Sequence, residues 1–325
     1  MHAIRHHSFG EPDVLVLEEV EDLTPAEGEV RIAVEASGVH LLDTSLRRGE
    51  AGPMPSPELP TVPGREVAGV VDLVGPGVDD SWLGRAVVAH LGLVPGGYAE
   101  QAVTAVDKLF PLPDHVGPTE AVAAVGTGRT ALGVLELEPP SSDDVVLVPA
   151  AAGGLGWLLV QGARRAGARV VALAGGPQKT SRLRELEPDL VLDYDAPGWT
   201  DLLRQEVEGV SLVYDGVGGD LGRACLELLS PGGRLVMFGY SAGSPTRFDT
   251  GDVVERGLTV GWSLGPRMVA LPGGIPGLAA RSLERLAAGG WRPLVSAYPL
   301  AEAAAAHADL EQRRTVGKVV LTVER

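Results

Sequence analysis

A glycine-rich turn between a buried strand and a helix is the feature that most constrains the fold. The β-branched run Val145–Val148 is typical of a strand buried on both faces of a parallel sheet. From Leu155 onward Leu and Ala recur at helical spacing, and Gly167 is placed to end that helix. The spacing Ala151-x-Gly153-x-x-Gly156 is a relaxed dinucleotide fingerprint, with Ala in the first glycine position. Such a turn exposes backbone N–H groups to a pyrophosphate, but Ala/Gly-rich turns also serve tight packing, so the surrounding pattern has to decide.

Strand and helix patterns alternate after this turn. Further apolar runs predict strands at Val170–Ala174, Leu190–Asp193, Leu212–Asp215, Leu235–Phe238 and Leu258–Ser263. Helical segments separate them near Thr180–Glu187, Thr200–Glu208 and Asp220–Leu229. Strands that alternate with helices predict an α/β fold with a doubly wound parallel sheet, which binds ligands at the carboxyl ends of its strands. Because the glycine turn is the first turn of this sheet, we predict a dinucleotide-binding domain.

The first part of the chain has a different pattern. Val30–Ala36 alternates apolar and charged residues, as a half-buried strand does. The short runs Val67–Val74 and Ala86–His90 are separated by Gly/Pro turns, and a Pro-rich irregular loop is expected over 52–63. These features predict a compact antiparallel β-barrel. Near the end of the chain we expect an Ala-rich helix over Glu302–Asp309 and a strand over Gly317–Val323 that returns to this first domain.

Composition limits the partners. The net charge of −16 argues against nucleic acid or an anionic membrane surface as the main partner. The single cysteine, Cys225, excludes a disulfide framework within the chain and fits a reducing cytoplasm. The N-terminus has no apolar signal segment, and the uncharged stretch 145–163 is interrupted by Pro149 and the glycines. We therefore expect a cytoplasmic protein with a small-molecule partner and no membrane span.

Motifs along essentially the whole chain resemble the medium-chain dehydrogenase/reductase superfamily, and most closely its zinc-free quinone oxidoreductase (zeta-crystallin-like) branch. The resemblance rests on MHAIRHHSFGEPDVLVLEEV (1–20), GEVRIAVEASGVHLLDTSLRRG (28–49), PGREVAGVV (63–71), GGYAE (96–100), the glycine turn, VYDGVGG (213–219), LSPGGRLVMFG (229–239) and AHADLEQRRTVGKVVL (306–321). It implies a GroES-like antiparallel β-barrel catalytic domain, residues 1–122 and 266–325, around a Rossmann dinucleotide-binding domain, residues 123–265. It also implies a homodimer and hydride transfer from NADPH.

The residues at the superfamily's zinc positions argue against a metal. Zinc alcohol dehydrogenases carry a Cys in a GVCHTD-like segment, a His in GHE and a later Cys. Here the corresponding residues are His40 and Arg65, and no cysteine lies around Val125–Gly128. A cationic Arg65 would repel Zn²⁺, and the structural-zinc cysteines are absent as well. We predict no catalytic metal. His2, His6 and His7 are expected at a solvated strand edge.

The turn after the second strand indicates the coenzyme. NAD enzymes place an Asp or Glu there, about 20 residues past the glycines, to bond the ribose 2′-hydroxyl. This chain has no carboxylate there before Glu185, and it carries Lys179, one of only three lysines. The resemblance places Lys179 and Tyr194 beside the adenosine phosphate, so NADPH is the predicted coenzyme. The alternative is that Lys179 merely solvates the start of a helix.

The resemblance also implies the remaining site residues. The predicted coenzyme contacts are Thr127, Gly153, Gly154, Leu155, Gly156, Gly175, Lys179, Tyr194, Val217, Phe238, Gly239, Ser241, Ser263 and Leu264. Ser45, Tyr98 and Trp262 are predicted to line the substrate pocket, Tyr98 as a structural wall. Quinone oxidoreductases typically have Asn at the position of His40 and Tyr at that of Ser45, which puts quinone as the physiological substrate in doubt. His40 either donates a hydrogen bond or proton to a developing enolate or only fills space.

Three functions are compatible with these residues. The leading one is a metal-independent, NADPH-dependent reductase that transfers hydride to a quinone or an α,β-unsaturated carbonyl. An enoyl-thioester reductase in a biosynthetic pathway is the second, and Arg47 and Arg48 are ordinary candidates for its basic groove. A non-catalytic NADPH-binding protein is the third. Turnover of NADPH with an electrophile separates the enzymes from the binding protein.

Overall fold

The computed structural model describes residues 1–50, 55–92 and 95–323. The chain divides into two compact units. The split unit consists of Met1–Thr127 and Ser282–Arg325, and the central unit consists of Gly128–Arg281. Part of the irregular loop predicted over 52–63 lies outside the described residues.

Strands and helices follow the alternation expected from the sequence. The strands are β1 (His2–Arg5), β2 (Val16–Glu19), β3 (Glu29–Val39), β4 (Glu66–Val74), β5 (Ala86–His90), β6 (Gln101–Ala105), β7 (Leu109–Pro111), β8 (Val145–Val148), β9 (Arg169–Ala174), β10 (Leu190–Asp193), β11 (Val210–Asp215), β12 (Leu229–Met237), β13 (Thr259–Trp262), β14 (Val295–Pro299) and β15 (Lys318–Thr322). The α-helices are α1 (Leu41–Arg48), α2 (Pro118–Val122), α3 (Arg129–Leu137), α4 (Gly154–Arg165), α5 (Pro177–Leu183), α6 (Trp199–Glu206), α7 (Gly219–Glu227), α8 (Thr250–Arg256), α9 (Pro266–Val269), α10 (Gly274–Ala287) and α11 (Ala303–Glu311).

The central unit is built on a six-stranded parallel sheet in the order β10-β9-β8-β11-β12-β13. Leu147 on β8 pairs with Val171 on β9 and with Val213 on β11, and all three side chains are buried. Burying a side chain of this size stabilises the fold by about 1.5–3 kcal/mol. The order in which strands are added to the sheet reverses between β8 and β11, and such a switch point is where open α/β sheets bind ligands. The predicted doubly wound sheet is confirmed.

Strand β12 begins earlier than the sequence predicts. The Pro-Gly-Gly segment after Ser230 indicates a turn, and the predicted strand therefore starts at Leu235. In the structure the strand includes these residues, with a register shift: Val210 pairs with Leu229, and Leu212 pairs with Arg234. Pairing with β11 on both sides of the irregularity outweighs the local preference for a turn.

The split unit contains a seven-stranded sheet in the order β14-β15-β3-β4-β5-β7, with β6 also paired to β3. Its pairs are antiparallel except β14 with β15. Val320 on β15 pairs with Gly38 on β3, so the strand predicted near the end of the chain does return to the first domain. Ile32, Val34 and Val71 lie in the core of this unit. A separate two-stranded ribbon joins β1 and β2.

Among the described residues, every helix is too short or too polar to span a lipid bilayer.

Candidate functional site

The glycine turn joins β8 to α4 in the central unit. Gly153 is the N-cap of α4, and Gly154 and Leu155 form its first turn. A Cβ on Gly156 would lie 2.5 Å from the Ala150 carbonyl oxygen, so only glycine lets the helix pack this close to the strand end. Gly153, Gly154, Leu155 and Gly156 therefore occupy the place where a dinucleotide fold receives the pyrophosphate.

The turns after β9 and β10 are joined to each other. The Asp193 carboxylate accepts the Gly176 N–H at 2.9 Å, and the Tyr194 N–H donates to the Ala174 carbonyl at 3.1 Å. A Cβ on Gly175 would meet the Tyr194 ring at 2.9 Å. The structure thus brings Gly175 and Tyr194 together, and Lys179 lies half-buried in the first turn of α5.

A second carboxylate lies at the same place and was missed from the sequence. The Asp195 carboxylate oxygen is 2.4 Å from the Cβ position of Gly175. The segment between the glycines and Glu185 contains no acid, whereas Asp195 comes from the turn after β10 rather than from the turn after β9. Only the parallel pairing of β9 with β10 places the two turns side by side.

The turns after β11 and β12 are also held together. The buried Asp215 carboxylate accepts the N–H groups of Val217 at 2.8 Å and Gly218 at 2.9 Å, and the Thr246 hydroxyl donates to it at 2.5 Å. The Ser241 N–H donates to the Gly216 carbonyl at 3.2 Å. Asp215 was not assigned from the sequence, although a carboxylate at the end of a buried strand often bonds the backbone of the following turn.

Packing of small residues brings the same two turns into contact. A Cβ on Gly216 would clash with the Phe238 ring at 2.4 Å, and one on Gly239 would lie 2.9 Å from the Gly216 carbonyl oxygen. Phe238 is buried, whereas Ser241 is exposed. Val217, Phe238, Gly239 and Ser241 therefore lie at one edge of the sheet, at the carboxyl ends of its strands.

The end of β13 completes this edge. The Trp262 side chain is 38% exposed, and its ring centroid lies 6.2 Å from that of Tyr240. The Ser263 N–H donates to the Met237 carbonyl at 2.9 Å, and the buried Ser263 hydroxyl has no hydrogen-bond partner among the described residues. Leu264 is half-buried beside them in sequence. The predicted coenzyme residues of the central unit thus lie in the segments that follow the carboxyl ends of the strands or, for Gly154, Leu155, Gly156 and Lys179, in the first turn of the next helix.

The split unit holds a buried ion pair around His40. Its Nε2 lies 2.7 Å from the Glu66 carboxylate and 2.9 Å from the Lys318 Nζ, which is 3.2 Å from the same carboxylate. The Glu66 and Lys318 side chains are buried, whereas that of His40 is 27% exposed. His40 is therefore the one member of this group, here named the His40 triad, that reaches the surface of its unit.

Burial and the neighbouring charges shift the pKa values of Glu66 and Lys318 in opposite directions. Burial raises the pKa of the Glu66 carboxyl, but His40 and Lys318 outweigh it and hold that pKa well below its usual value. Burial lowers the pKa of the Lys318 ammonium, and the Glu66 charge offsets part of this. Glycine at two neighbouring positions leaves space for the Glu66 carboxylate. A Cβ on Gly38 would lie 2.4 Å from one Glu66 oxygen, and a Cβ on Gly126 would lie 1.5 Å from the other.

Helix α1 links His40 to a second buried network. His40 is the N-cap of α1, and its backbone N–H donates to the Asp43 carboxylate at 2.8 Å. The Tyr98 hydroxyl lies 3.2 Å from the same carboxylate and 3.0 Å from the His307 Nε2. Burial, followed by the Asp43 charge, raises the pKa of Tyr98 well above its usual value. Tyr98 has no exposed surface, and its role as a structural wall of the substrate pocket stays a prediction.

This network continues to α11. The Arg47 guanidinium lies 3.5 Å from the His307 Nδ1 and 2.7 Å from the Glu311 carboxylate. An arginine donor at Nδ1 leaves the His307 proton on Nε2, which then donates to the Tyr98 oxygen. Burial lowers the pKa of His307 to about 4, so the ring is neutral near pH 7. Neither the network nor the triad was found from the sequence, because their members are distant along the chain.

The remaining predicted residues of the split unit are separate from these networks. Ser45 lies half-buried on α1, and Thr127 is buried in a short π-helical segment, Ala123–Gly128. The Arg65 guanidinium is 3.8 Å from the Asp43 carboxylate. The expectation for His6 is wrong: its side chain is buried and hydrogen-bonded to the Ser8 carbonyl at 3.1 Å. It follows β1 and bridges to Thr61 rather than facing solvent.

Comparison with known proteins identifies the family. Residues 26–114 match the alcohol dehydrogenase GroES-like domain, and residues 186–321 match a family described as zinc-binding dehydrogenase. A 2-haloacrylate reductase from a Burkholderia species is 33% identical, over 97% of both chains. The solved quinone oxidoreductase of Escherichia coli, complexed with NADPH, is 29% identical with a TM-score of 0.86, over 99% of this chain and 100% of that one. A mycocerosic acid synthase-like polyketide synthase of Mycolicibacterium smegmatis is 33% identical over 97% of this chain, which spans 15% of the synthase.

The zinc in the family description does not fit the residues of this chain. Within residues 1–50, 55–92 and 95–323, no three His, Cys, Asp or Glu side chains are grouped so as to hold a metal ion. The imidazole of His40 already contacts a carboxylate, and the Lys318 ammonium lies 2.9 Å from its Nε2, where it would repel a divalent cation. Sequence motifs, fold and relatives nevertheless agree over the full length. The chain belongs to the medium-chain dehydrogenase/reductase superfamily, in its quinone oxidoreductase branch.

Proposed function

We propose that this protein is an NADPH-dependent reductase that transfers hydride to a quinone or an α,β-unsaturated carbonyl without a metal. The observation that carries this proposal is the glycine turn at the switch point of the parallel sheet, with the predicted coenzyme residues along the same edge. The relatives support it, because one is a 2-haloacrylate reductase and another is a quinone oxidoreductase solved with NADPH.

In this proposal the residues of the chain bind and orient, and the coenzyme supplies the hydride. The backbone of Gly153–Gly156 holds the pyrophosphate, Lys179 and Tyr194 meet the adenosine phosphate, and Ser263 and Leu264 lie at the nicotinamide end. The exposed part of the His40 ring faces the substrate oxygen as negative charge develops there, with Ser45, Tyr98 and Trp262 around the pocket. Glu66 and Lys318 are positioning residues that fix the orientation of the imidazole.

A panel assay tests the reductase. Purified protein is mixed with NADPH and, in turn, a quinone, an enone, a 2-haloacrylate or an enoyl-thioester, and coenzyme oxidation is followed by absorbance. We expect turnover with at least one electrophile. Binding of NADPH without turnover on any of them would instead establish the non-catalytic, coenzyme-binding role.

A role for His40 is tested by His40→Asn and His40→Ala. We expect the Ala variant to lose at least about tenfold in kcat with little change in the Kd for NADPH, since general acid groups contribute about 10²-fold or more. Asn keeps a hydrogen-bond donor and should retain more of the rate. Unchanged kcat in both variants would leave His40 with the space-filling role.

An enoyl-thioester reductase is the second candidate, and one observation favours it. The polyketide synthase relative aligns with nearly the whole of this chain, which occupies a module-sized part of that much longer protein. Carrier-bound enoyl-thioesters differ from quinones by a long polar arm. A kcat/KM for an enoyl-thioester at least about tenfold above that for a short enone would support this candidate.

We also propose the functional organisation that the resemblance implies. Residues 1–122 and 266–325 form the catalytic domain, and residues 123–265 form the dinucleotide-binding domain. The protein is a cytoplasmic homodimer in this proposal. The edge strand β13, with paired strands on one side only among the described residues, leaves room for a second copy. Sedimentation equilibrium of the purified protein tests the dimer, and a monomer at micromolar concentration would refute it.

A further inference from the structure

A carboxylate lies at the end of β9, where dinucleotide folds receive the adenosine ribose. The Asp195 Oδ2 is 2.4 Å, and its Cγ 3.1 Å, from the position that a Gly175 Cβ would take. Gly175 directly follows β9, the strand next to the glycine-turn strand β8. Acids at the end of this strand bond the ribose 2′-hydroxyl in NAD enzymes. Asp195 reaches the same place from the neighbouring turn.

The backbone fixes this arrangement. Asp193 uses one carboxylate oxygen to accept the N–H of Gly176 and the N–H of Asp195, both at 2.9 Å. The Ala196 N–H donates to the Asp193 carbonyl at 3.2 Å and closes the turn. Asp193 is thereby committed to the backbone, whereas Asp195 is exposed at the turn surface. The position of Asp195 relative to Gly175 therefore follows from the fold rather than from a flexible side chain alone.

Both basic and acidic side chains lie near the end of β9. Lys179 is in the first turn of α5, and Arg182 on the same helix is paired with Glu185 at 2.5 Å. A 2′-phosphate carries close to two negative charges at neutral pH, so a neighbouring carboxylate repels it while an ammonium attracts it. A free 2′-hydroxyl is instead a donor that a carboxylate accepts.

We infer that Asp195 is a specificity-determining residue that weakens binding of the 2′-phosphate and lets the protein bind NADH as well as NADPH. Lys179 favours the phosphate and Asp195 opposes it, so the two residues hold the affinities for the two coenzymes closer together than Lys179 alone would. This inference rests on the proposed coenzyme site and specifies which dinucleotides that site takes.

The test compares coenzyme binding rather than turnover. Asp195→Asn removes the charge and keeps the size, and Asp201→Asn is the matched control, an exposed carboxylate on α6 paired with Arg204 at 3.1 Å. The Kd values for NADPH and NADH are measured by fluorescence titration of the full-length protein at low salt. We expect the Asp195 variant to bind NADPH at least about threefold more tightly and NADH no more tightly than before. The control should change neither value.

Salt provides a second readout. The gain in NADPH affinity of Asp195→Asn should shrink as ionic strength rises, because the removed repulsion between exposed charges is screened. An unchanged NADPH Kd in Asp195→Asn, or an equal change for both coenzymes, would overturn the inference while leaving the reductase proposal intact. Binding without turnover would overturn the reductase and leave this inference standing. If Asp195→Asn leaves the ratio of the Kd values for NADPH and NADH unchanged, the preference between the two coenzymes depends on Lys179 alone.

Discussion

Single residues in this protein gain their roles from partners far along the chain. His40, Glu66 and Lys318 form one group, yet the N-cap of α1, strand β4 and strand β15 contribute them from opposite ends of the sequence. The sequence alone located His40 and excluded Zn²⁺ ligands, because those judgements need only residue types at known motif positions. It did not identify Glu66 or Lys318 as partners, because that requires the register of β15 on β3.

At the scale of residues, we predict that breaking the Glu66–Lys318 ion pair of the His40 triad lowers the free energy of unfolding. Glu66→Gln leaves the Lys318 ammonium buried without its carboxylate, and breaking a buried ion pair from one side costs about 3–5 kcal/mol. Lys318→Met alone should cost a similar amount, because the Glu66 charge is then less compensated. The double variant Glu66→Gln/Lys318→Met should recover part of the loss. Chemical denaturation measures the free energy of unfolding, and strictly additive losses would contradict the coupling of the two charges.

His307 predicts a pH dependence of stability. Its pKa is lowered from 6.5 to about 4 in the folded protein, so below pH 6.5 the unfolded state binds a proton that the folded state does not. Its contribution is therefore fully present above pH 6.5 and is lost as pH falls towards 4, by about 3 kcal/mol in all. Denaturation of the wild type and His307→Asn at several pH values checks this. Burial also lowers the pKa of His6, so the difference between the two proteins isolates His307.

At the scale of elements, turns rather than helices or strands build the coenzyme edge. The strands and the glycine turn were predictable, since burial on both faces and strand-to-helix glycines leave a local pattern. The hydrogen bonds that hold the turns were not predictable, because Asp193 and Asp215 accept from backbone N–H groups that the residue pattern does not show. The early start of β12 was missed because the residues there carry a strong local signal for a turn. Pairing with the neighbouring strand overrides that signal.

The brace after β11 predicts an effect on coenzyme binding. Asp215→Ala removes the acceptor for the N–H groups of Val217 and Gly218, so the turn should lose its fixed shape. We expect the Kd for NADPH to rise at least about tenfold and the free energy of unfolding to fall by about 1–3 kcal/mol. Asp220→Asn, an exposed acid on α7, is the control and should change neither. Wild-type affinity in Asp215→Ala would show that the Val217 turn does not bind the coenzyme.

At the scale of the whole molecule, two units with their own cores share one chain. The central unit has a core of Leu147, Val171 and Val213, and the split unit has cores around Ile32 and Leu321. The change of residue pattern after the first part of the chain had led us to expect two domains, and the boundaries given for them stay a prediction. The alternating strand expected over Gly317–Val323 does return to the first sheet, where β15 pairs with β3.

From the division into two units, we expect bound coenzyme to stabilise the central unit most. A ligand at about 100 times its Kd adds about 2.7 kcal/mol to the state that binds it. Saturating NADPH should therefore raise the Tm, and in a calorimetric scan the transition of the central unit should move most. Lys179→Ala should reduce the shift with NADPH more than the shift with NADH. Equal reductions for both coenzymes would remove Lys179 from the phosphate site.

The position of Lys318 on β15 has a consequence for biosynthesis. A ribosome releases the central unit's strands β8 to β13 before it makes β15. Until then the Ala36–Val39 end of β3 lacks its β15 partner and Glu66 lacks the Lys318 ammonium, whereas all the strands of the central sheet have already been made. The addition of β14 and β15 thus pairs the end of β3 and brings the Lys318 ammonium to the buried Glu66 carboxylate. A chaperone that shields unpaired strand edges should accordingly contact the N-terminal segment of the nascent chain for longest.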